Sequence, residues 1–377
     1  MPSNNRQTGA FSPTALLAAV VIAFLTGLLM SLAIRPAATP TASSSPEPAA
    51  ALKRIEWRLP SAFHTTIPGL GRTPETFAET VRAASAGAIE FRVFEPGEVV
   101  PAFSITDAVR DKKVEAGYTW SGYDQGKIPA SPLIGAVPFG MEPIEFLAWW
   151  FDGGGKPLGE ALYHEQRVHP ILCGLIGPET AGWFRQPIED LDDLAGLKIR
   201  FAGIGGKVIE RLGASVTMLP GGEIFQALEK GAIDATEFSQ PIVDQVLGFN
   251  RIASFNYYPG WHQPASASHL MINLDKWNAL SASDQAIIEA ACYTSTIRTI
   301  ANSESLQGPV IAGFSENGVS AETLPENVLR ELHQVTLRVL DEEAAANEWF
   351  ERILESQVRF RETYRHWKVR GYLPRDF

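Results

Sequence analysis

From Ile55 onward the chain alternates short strand-like runs with short helix-like runs, and glycines close the helices before the next strand begins. That alternation restricts the fold to an α/β architecture, since neither helices alone nor sheets alone can follow it. Ile55–Phe63 reads as a first strand and loop. Thr73-Pro74 then opens a helix, with proline at the first helical position and Glu75 beside the positive end of the dipole. Phe77 and Val81 lie four apart on one face, and Gly87 ends the helix. Ile89–Gly97 alternates apolar and polar residues and stops at Pro-Gly, so this strand–helix–strand unit predicts a parallel pair with a right-handed crossover. The same pattern returns at Asp190–Gly203, with a strand at Leu197–Phe201, a helix in GGKVIERLGA, and a strand at Ser215–Leu219. A helix at Gly222–Lys230 and a strand at Ala232–Phe238 follow. Ser281 with Asp284 forms a capping box before another helix. From about Glu326 the residues are helix formers with aromatic side chains at Trp349, Phe350, Phe360, Tyr364 and Trp367. Two α/β lobes and a helical C-terminal extension account for this pattern.

Ahead of this body lies one uncharged apolar run, Ala15–Ile34, preceded by a single basic residue, Arg6. About twenty residues at roughly 1.5 Å each can cross a bilayer as a helix. The small residues of Ser31-Leu32-Ala33 equally fit a cleaved secretory signal. Both readings imply export. No cysteine follows the run to carry a lipid. Arg35–Ala51 is rich in Pro, Ala, Ser and Thr and reads as an extended tether. With only one such run in 377 residues, a multi-span membrane protein is excluded. The net charge of −11 excludes a nucleic-acid footprint. Residues 1–54 carry four basic groups and one acidic, which leaves 28 basic against 42 acidic in the body, a net −14. Two cysteines, Cys173 and Cys292, are too few for a disulfide scaffold or a four-thiolate metal site; whether they pair is left open by the sequence.

Most short motifs fail on spacing. His164-Glu165 and His169 look like part of a zinc site, but positions five apart do not share a helical face. Gly203-Ile204-Gly205-Gly206-Lys207 lacks the first glycine and the Ser/Thr of a phosphate loop; it reads as a strand-to-helix turn whose amides could receive a carboxylate. Gly153-Gly154-Gly155 reads as a loop. Arg200 and Glu237 stand apart, because each falls at the far end of a predicted strand, where open α/β sheets place ligands. An arginine there can grip a carboxylate through two parallel hydrogen bonds, and a surface ion pair is the alternative.

Seven segments, in order, resemble one family. They are PGLG (Pro68–Gly71), VFEPGEVVPAF (Val93–Phe103), AVPFG (Ala136–Gly140), GPETAGWFRQPI (Gly177–Ile188), DLAGLKIR (Asp193–Arg200), GGEIFQALEKGAIDATEF (Gly221–Phe238) and YYPGW (Tyr257–Trp261). Together they are similar to the periplasmic substrate-binding subunits of tripartite ATP-independent periplasmic (TRAP) transporters, the DctP type, in the branch that binds 2-oxo acids. The resemblance implies a two-lobed periplasmic-binding-protein fold with hinge-bridging helices. It places a signal peptide or anchor at 1–35, a linker at 36–54, the first part of lobe 1 at 55–176 and lobe 2 at 177–258. A return to lobe 1 and hinge follows at 259–325, then a C-terminal helical extension at 326–377 that could pair two copies.

The resemblance also implies a ligand set: Arg200 on the ligand carboxylate, and a cation held by Glu179, Glu237 and the carbonyl of Phe238. Phe63, Tyr123 and Trp261 would form the apolar wall, with Glu179 touching substrate as well. Relatives often carry neutral glutamine where Glu179 stands. Two carboxylates about 5 Å apart repel by roughly 3 kcal/mol at an effective dielectric near 20. A cation between them relieves that repulsion: one negative side chain suits Na⁺, whereas two suit a hard divalent ion such as Ca²⁺. No catalytic cofactor is implied. The function that follows is capture of a small organic monocarboxylate, a 2-oxo or 2-hydroxy acid such as pyruvate or lactate, for delivery to a membrane permease from the periplasm. The alternatives are a membrane-anchored sensing module and an enzyme using Glu179 and Glu237 as an acid–base pair. Retention of Ala15–Ile34 would favour the first, and turnover would favour the second.

Overall fold

The computed structural model describes residues 13–33 and 54–373. They fall in two compact units, one ending at Leu52 and one beginning at Lys53. In the first, the described part is a single helix without charged residues, α1 (Pro13–Ala33). Its side chains are described without interruption only from Leu17 to Ser31, and no helix among the described residues is long and apolar enough to cross a membrane. Nearly all of the expected tether lies outside the described residues.

The second unit opens with β1 (Ile55–Pro60), α2 (Thr73–Ala84) and β2 (Ile89–Phe94), the expected parallel unit, in register from Ile55–Ile89 to Pro60–Phe94. Phe77 and Val81 are buried on the inner face of α2. Gly87, at φ 81°, turns the chain, and its amide donates to the Arg82 carbonyl at 2.8 Å. α3 (Ile105–Arg110), β3 (Ala116–Trp120), α4 (Pro143–Asp152) and α5 (Gly155–His164) follow. They lead into β4 (Val168–Ile176), which is buried along its whole length.

The chain then crosses to a second sheet. Its elements are β5 (Gly182–Phe184), β6 (Lys198–Arg200), α6 (Gly203–Arg211), β7 (Ser215–Thr217), α7 (Gly221–Glu229), β8 (Ala235–Thr236), α8 (Pro241–Val246) and β9 (Phe255–Tyr258). A second crossing returns it to the first lobe as β10 (Ser266–Asn273) and α9 (Leu274–Asn278), before the 31-residue helix α10 (Ala282–Ala312). β11 (Ser320–Thr323), α11 (Glu326–Ala346) and α12 (Glu348–Gly371) complete it.

In lobe 1, β10 lies antiparallel between β3 and β4. The β1–β2 pair joins this sheet through the Ser61–Tyr118 bridge. Lobe 2 has the order β11-β9-β5-β8-β6-β7. The expected boundaries need one correction: β11 falls within the segment assigned to lobe 1 and the hinge, yet it pairs in parallel with β9 at the edge of the second sheet. α10 carries the chain back across.

α10 is the hinge element. Its Ser281 cap accepts the Asp284 amide at 3.1 Å, as the capping box predicts. Its middle is too polar to announce a core helix, but Ser295, Thr296 and Thr299 donate to carbonyls four residues back at 2.8–2.9 Å. Those hydroxyls are thereby satisfied where they are buried. Thr299 also meets Thr73 of α2 at 2.6 Å, and Gln307 reaches the Ile242 amide of α8 at 3.1 Å, so one helix touches both lobes. Cys292 of α10 forms a disulfide with Cys173 of β4. At the C-terminus α11 pairs with α6 through Lys207–Glu343 and Arg211–Glu342, both at 2.5 Å. α12 returns to lobe 1, where Ser356 accepts from Trp149 at 3.1 Å and Lys368 meets Glu145 at 3.0 Å.

Candidate functional site

β6 and β8 are parallel neighbours with Arg200 opposite Thr236, so Arg200 and Glu237 leave the same end of the sheet together. Arg200 is 1% exposed. Its Nε donates to the Leu219 carbonyl at 3.1 Å and its Nη1 to the Glu237 carbonyl at 2.8 Å, and Nη1 also forms an ion pair with Glu237 Oε2. Glu237 Oε1 accepts the Ala202 amide at 3.2 Å, so the turn opening α6 does receive a carboxylate, from the protein itself. The Arg200 guanidinium lies 5.1 Å from the centre of the Phe238 ring.

The two interlobe crossings supply the rest. Glu179 lies on the first, and its amide donates to the Gln263 carbonyl on the second at 3.2 Å. The approach is close because Gly260 has no side chain: a Cβ there would fall 2.2 Å from the Glu179 carbonyl oxygen. His262 follows, fully buried, with Nε2 3.5 Å from Glu179 Oε2 and 3.8 Å from Glu237 Oε1. Lobe 1 closes the space with Phe63, Leu70, Trp120 and Tyr123. Arg200, Glu179, Glu237, Phe63, Tyr123 and Phe238 therefore line one narrow cavity of about 20 Å³. Phe63 and Phe238 also line a wider cleft together with Ile67, Phe103 and Leu219.

Trp261 does not join them, contrary to the expectation of a wall. Its ring packs instead between Phe139 and Phe201, at 5.8 and 5.9 Å. The wall position is held by Trp120, whose ring packs on the α-carbon of Gly203; a Cβ there would meet it at 2.8 Å. His262 and Trp120 both escaped the sequence reading. The His-Gln pair after Pro-Gly-Trp was the available signal for the first, and the buried-strand ending of Ala116–Trp120 for the second.

The electrostatics separate the two carboxylates. Burial, followed by the nearby charges of Glu237 and Asp244, pushes Glu179 well above the usual carboxylate range. Burial raises Glu237 too, opposed by Arg200 and the Ala202 amide. Tyr123 rises to about 12, chiefly through burial, with its hydroxyl against Arg200. Burial, then Arg200, lowers His262 to about 3, so its imidazole is neutral. Glu179 Oε2, both His262 nitrogens and Gln263 Oε1 are buried without a hydrogen-bond partner. Such atoms cost roughly 1–3 kcal/mol each unless something meets them. Two carboxylates and an amide oxygen around one arginine fit a hard cation beside a bound anion.

Comparison with known proteins accords with this geometry. Residues 66–347 match the family model DctP, described as bacterial extracellular solute-binding protein, family 7. The chain belongs to the DctP family. A monocarboxylate 2-oxoacid-binding periplasmic protein of Nostoc sp. is 33% identical over 318 residues, 84% of this chain and 87% of that protein. A TRAP transporter solute-binding protein from Bordetella bronchiseptica, a mixed-occupancy dimer with copurified calcium and picolinate, superposes at a TM-score of 0.83. It is 30% identical, with 84% of this chain and 95% of that one covered. A TRAP periplasmic solute-binding protein from Pseudoalteromonas atlantica, with bound sodium and pyruvate, gives 0.81 at 31% identity over 84% and 96%. This chain is thus a TRAP-type solute-binding protein.

Proposed function

We propose that this DctP-family chain captures a small 2-oxo or 2-hydroxy monocarboxylate together with a cation and presents both to a membrane permease. The observation that carries the reading is the buried Arg200–Glu237 pair, with the unpartnered Glu179 oxygen facing it. Arg200 orients the ligand carboxylate, and the Tyr123 hydroxyl lies beside the guanidinium to share that anion. Glu179 and Glu237, with the Phe238 carbonyl, hold the cation, whose charge offsets theirs. Phe63, Trp120 and Phe238 exclude water and so strengthen each of these contacts. About 8 kcal/mol suffices for micromolar binding, and the reading requires no bond to be made or broken in the ligand.

The Cys173–Cys292 disulfide supports an oxidising compartment, the periplasm, and α1 supports export, as a cleaved signal or retained anchor. The outward side of α12, with Trp367 and Val369 exposed, supports pairing with a second copy, which sedimentation would detect. Native mass spectrometry of protein taken from the periplasm tests the function. The expected mass excess equals one small carboxylic acid plus one cation; a protein that arrives and stays bare after incubation with 2-oxo acids contradicts it.

A further inference from the structure

The histidines that failed as a helical zinc motif meet by another route. His164 ends α5, Arg167 turns the chain at φ 60°, and His169 lies on β4, so the rings face each other with His164 Nε2 2.9 Å from His169 Nδ1. Trp277 stacks on His169 at 4.2 Å, and the imidazole is 4% exposed. In the tautomer whose Nδ1–H donates to His164, the Nε2 lone pair of His169 is left over, and that atom is buried without a partner. Glu160 of α5 and Glu289 of α10 lie beside the same imidazole, and one ligand atom from each of the three residues lies within 4.8 Å of the others.

We propose that Glu160, His169 and Glu289 form a divalent transition-metal site in lobe 1, of the Zn²⁺ class, separate from the ligand cleft. Two carboxylates with one imidazole suit such an ion better than Ca²⁺, which takes oxygens only. A cation already stands there: the Lys156 ammonium is 3.0 Å from Glu160 and 3.0 Å from Glu289. Its side chain is 30% exposed, so Lys156 acts as the competitor that a dication displaces toward solvent. The disulfide pins the frame, since Cys173 lies on the strand of His169 and Cys292 one turn beyond Glu289 on α10. The ligands thus come from three elements already held together.

The test is calorimetric titration of Zn²⁺ into untagged, chelator-treated full-length protein carrying Glu237→Gln, which silences the cleft, with native mass spectrometry for stoichiometry. One equivalent of Zn²⁺ is expected, with Ca²⁺ failing to compete. Glu289→Gln and, separately, His169→Asn should abolish it. Lys156→Met should tighten it by about tenfold or more, because a like charge leaves the site. With Glu237 restored, pyruvate affinity should not change in Lys156→Met. Absence of stoichiometric Zn²⁺, binding indifferent to Glu289→Gln, or weaker binding in Lys156→Met would each overturn the assignment and leave an ion-pair cluster.

Discussion

Arg200 is held at three points, by the Leu219 carbonyl, the Glu237 carbonyl and the Glu237 carboxylate, so its guanidinium is aimed before any ligand arrives. Beside it stands Glu179, whose neutral form burial favours and which a bound cation would ionise. Gln cannot ionise there, so calcium titration of Glu179→Gln should show affinity falling by one to two orders of magnitude while sodium is affected less. Another buried carboxylate, Asp124, lies apart from Arg200: Thr106 and Tyr163 donate to its Oδ2 at 2.8 and 2.9 Å, and burial raises it to about 6. The folded state therefore binds this proton more tightly than the unfolded chain. Its contribution is complete below the unfolded value near 4 and is lost as pH rises through about 6. Urea unfolding should show wild type losing on the order of 3 kcal/mol across that window relative to Asp124→Asn, which keeps an oxygen for both donors. That Arg200 and Glu237 leave one end of the sheet was legible, because each closes a strand the alternation predicts. His262 was not, since its place depends on two distant crossings lying side by side.

Among the elements, the crossings and their glycines carry the geometry. Gly260→Ala would drive a methyl group into the Glu179 main chain, so that segment must move. Calorimetry should find cation and carboxylate affinity falling together by at least about tenfold, while the far-UV spectrum is kept; unchanged affinities would mean that the Glu179 backbone position is immaterial. The strand–helix–strand units could be read directly, because Phe77 and Val81 on α2 and the glycine stops repeat a local pattern. α10 could not be read at full length. After Ile288, Ala291 and Cys292 its buried positions are Ser and Thr, and the satisfaction of Thr296 and Thr299 by the helix's own carbonyls is invisible in a hydrophobic period. The pairing of β11 with β9 was hidden for a related reason: four residues with an alternating burial pattern do not say which sheet they join.

For the whole molecule, the cleft exists because the chain passes between two sheets and is tied back by α10, α12 and one disulfide. That bond closes a loop with a sequence separation of 119 residues. Replacing both cysteines with serine should cost about 2–5 kcal/mol in denaturant unfolding while pyruvate affinity holds, since neither sulfur touches the site. The acidic body, net −14 outside residues 1–54, makes capture of an anion depend on charges inside the cleft. Whether Arg200 acts with a cation is measured directly by calorimetric titration of pyruvate into chelator-treated protein, wild type and Arg200→Ala, with and without added Ca²⁺ or Na⁺. Micromolar binding that needs the cation and disappears in Arg200→Ala is the predicted result. Equal affinity in both proteins, indifferent to either ion, would contradict it.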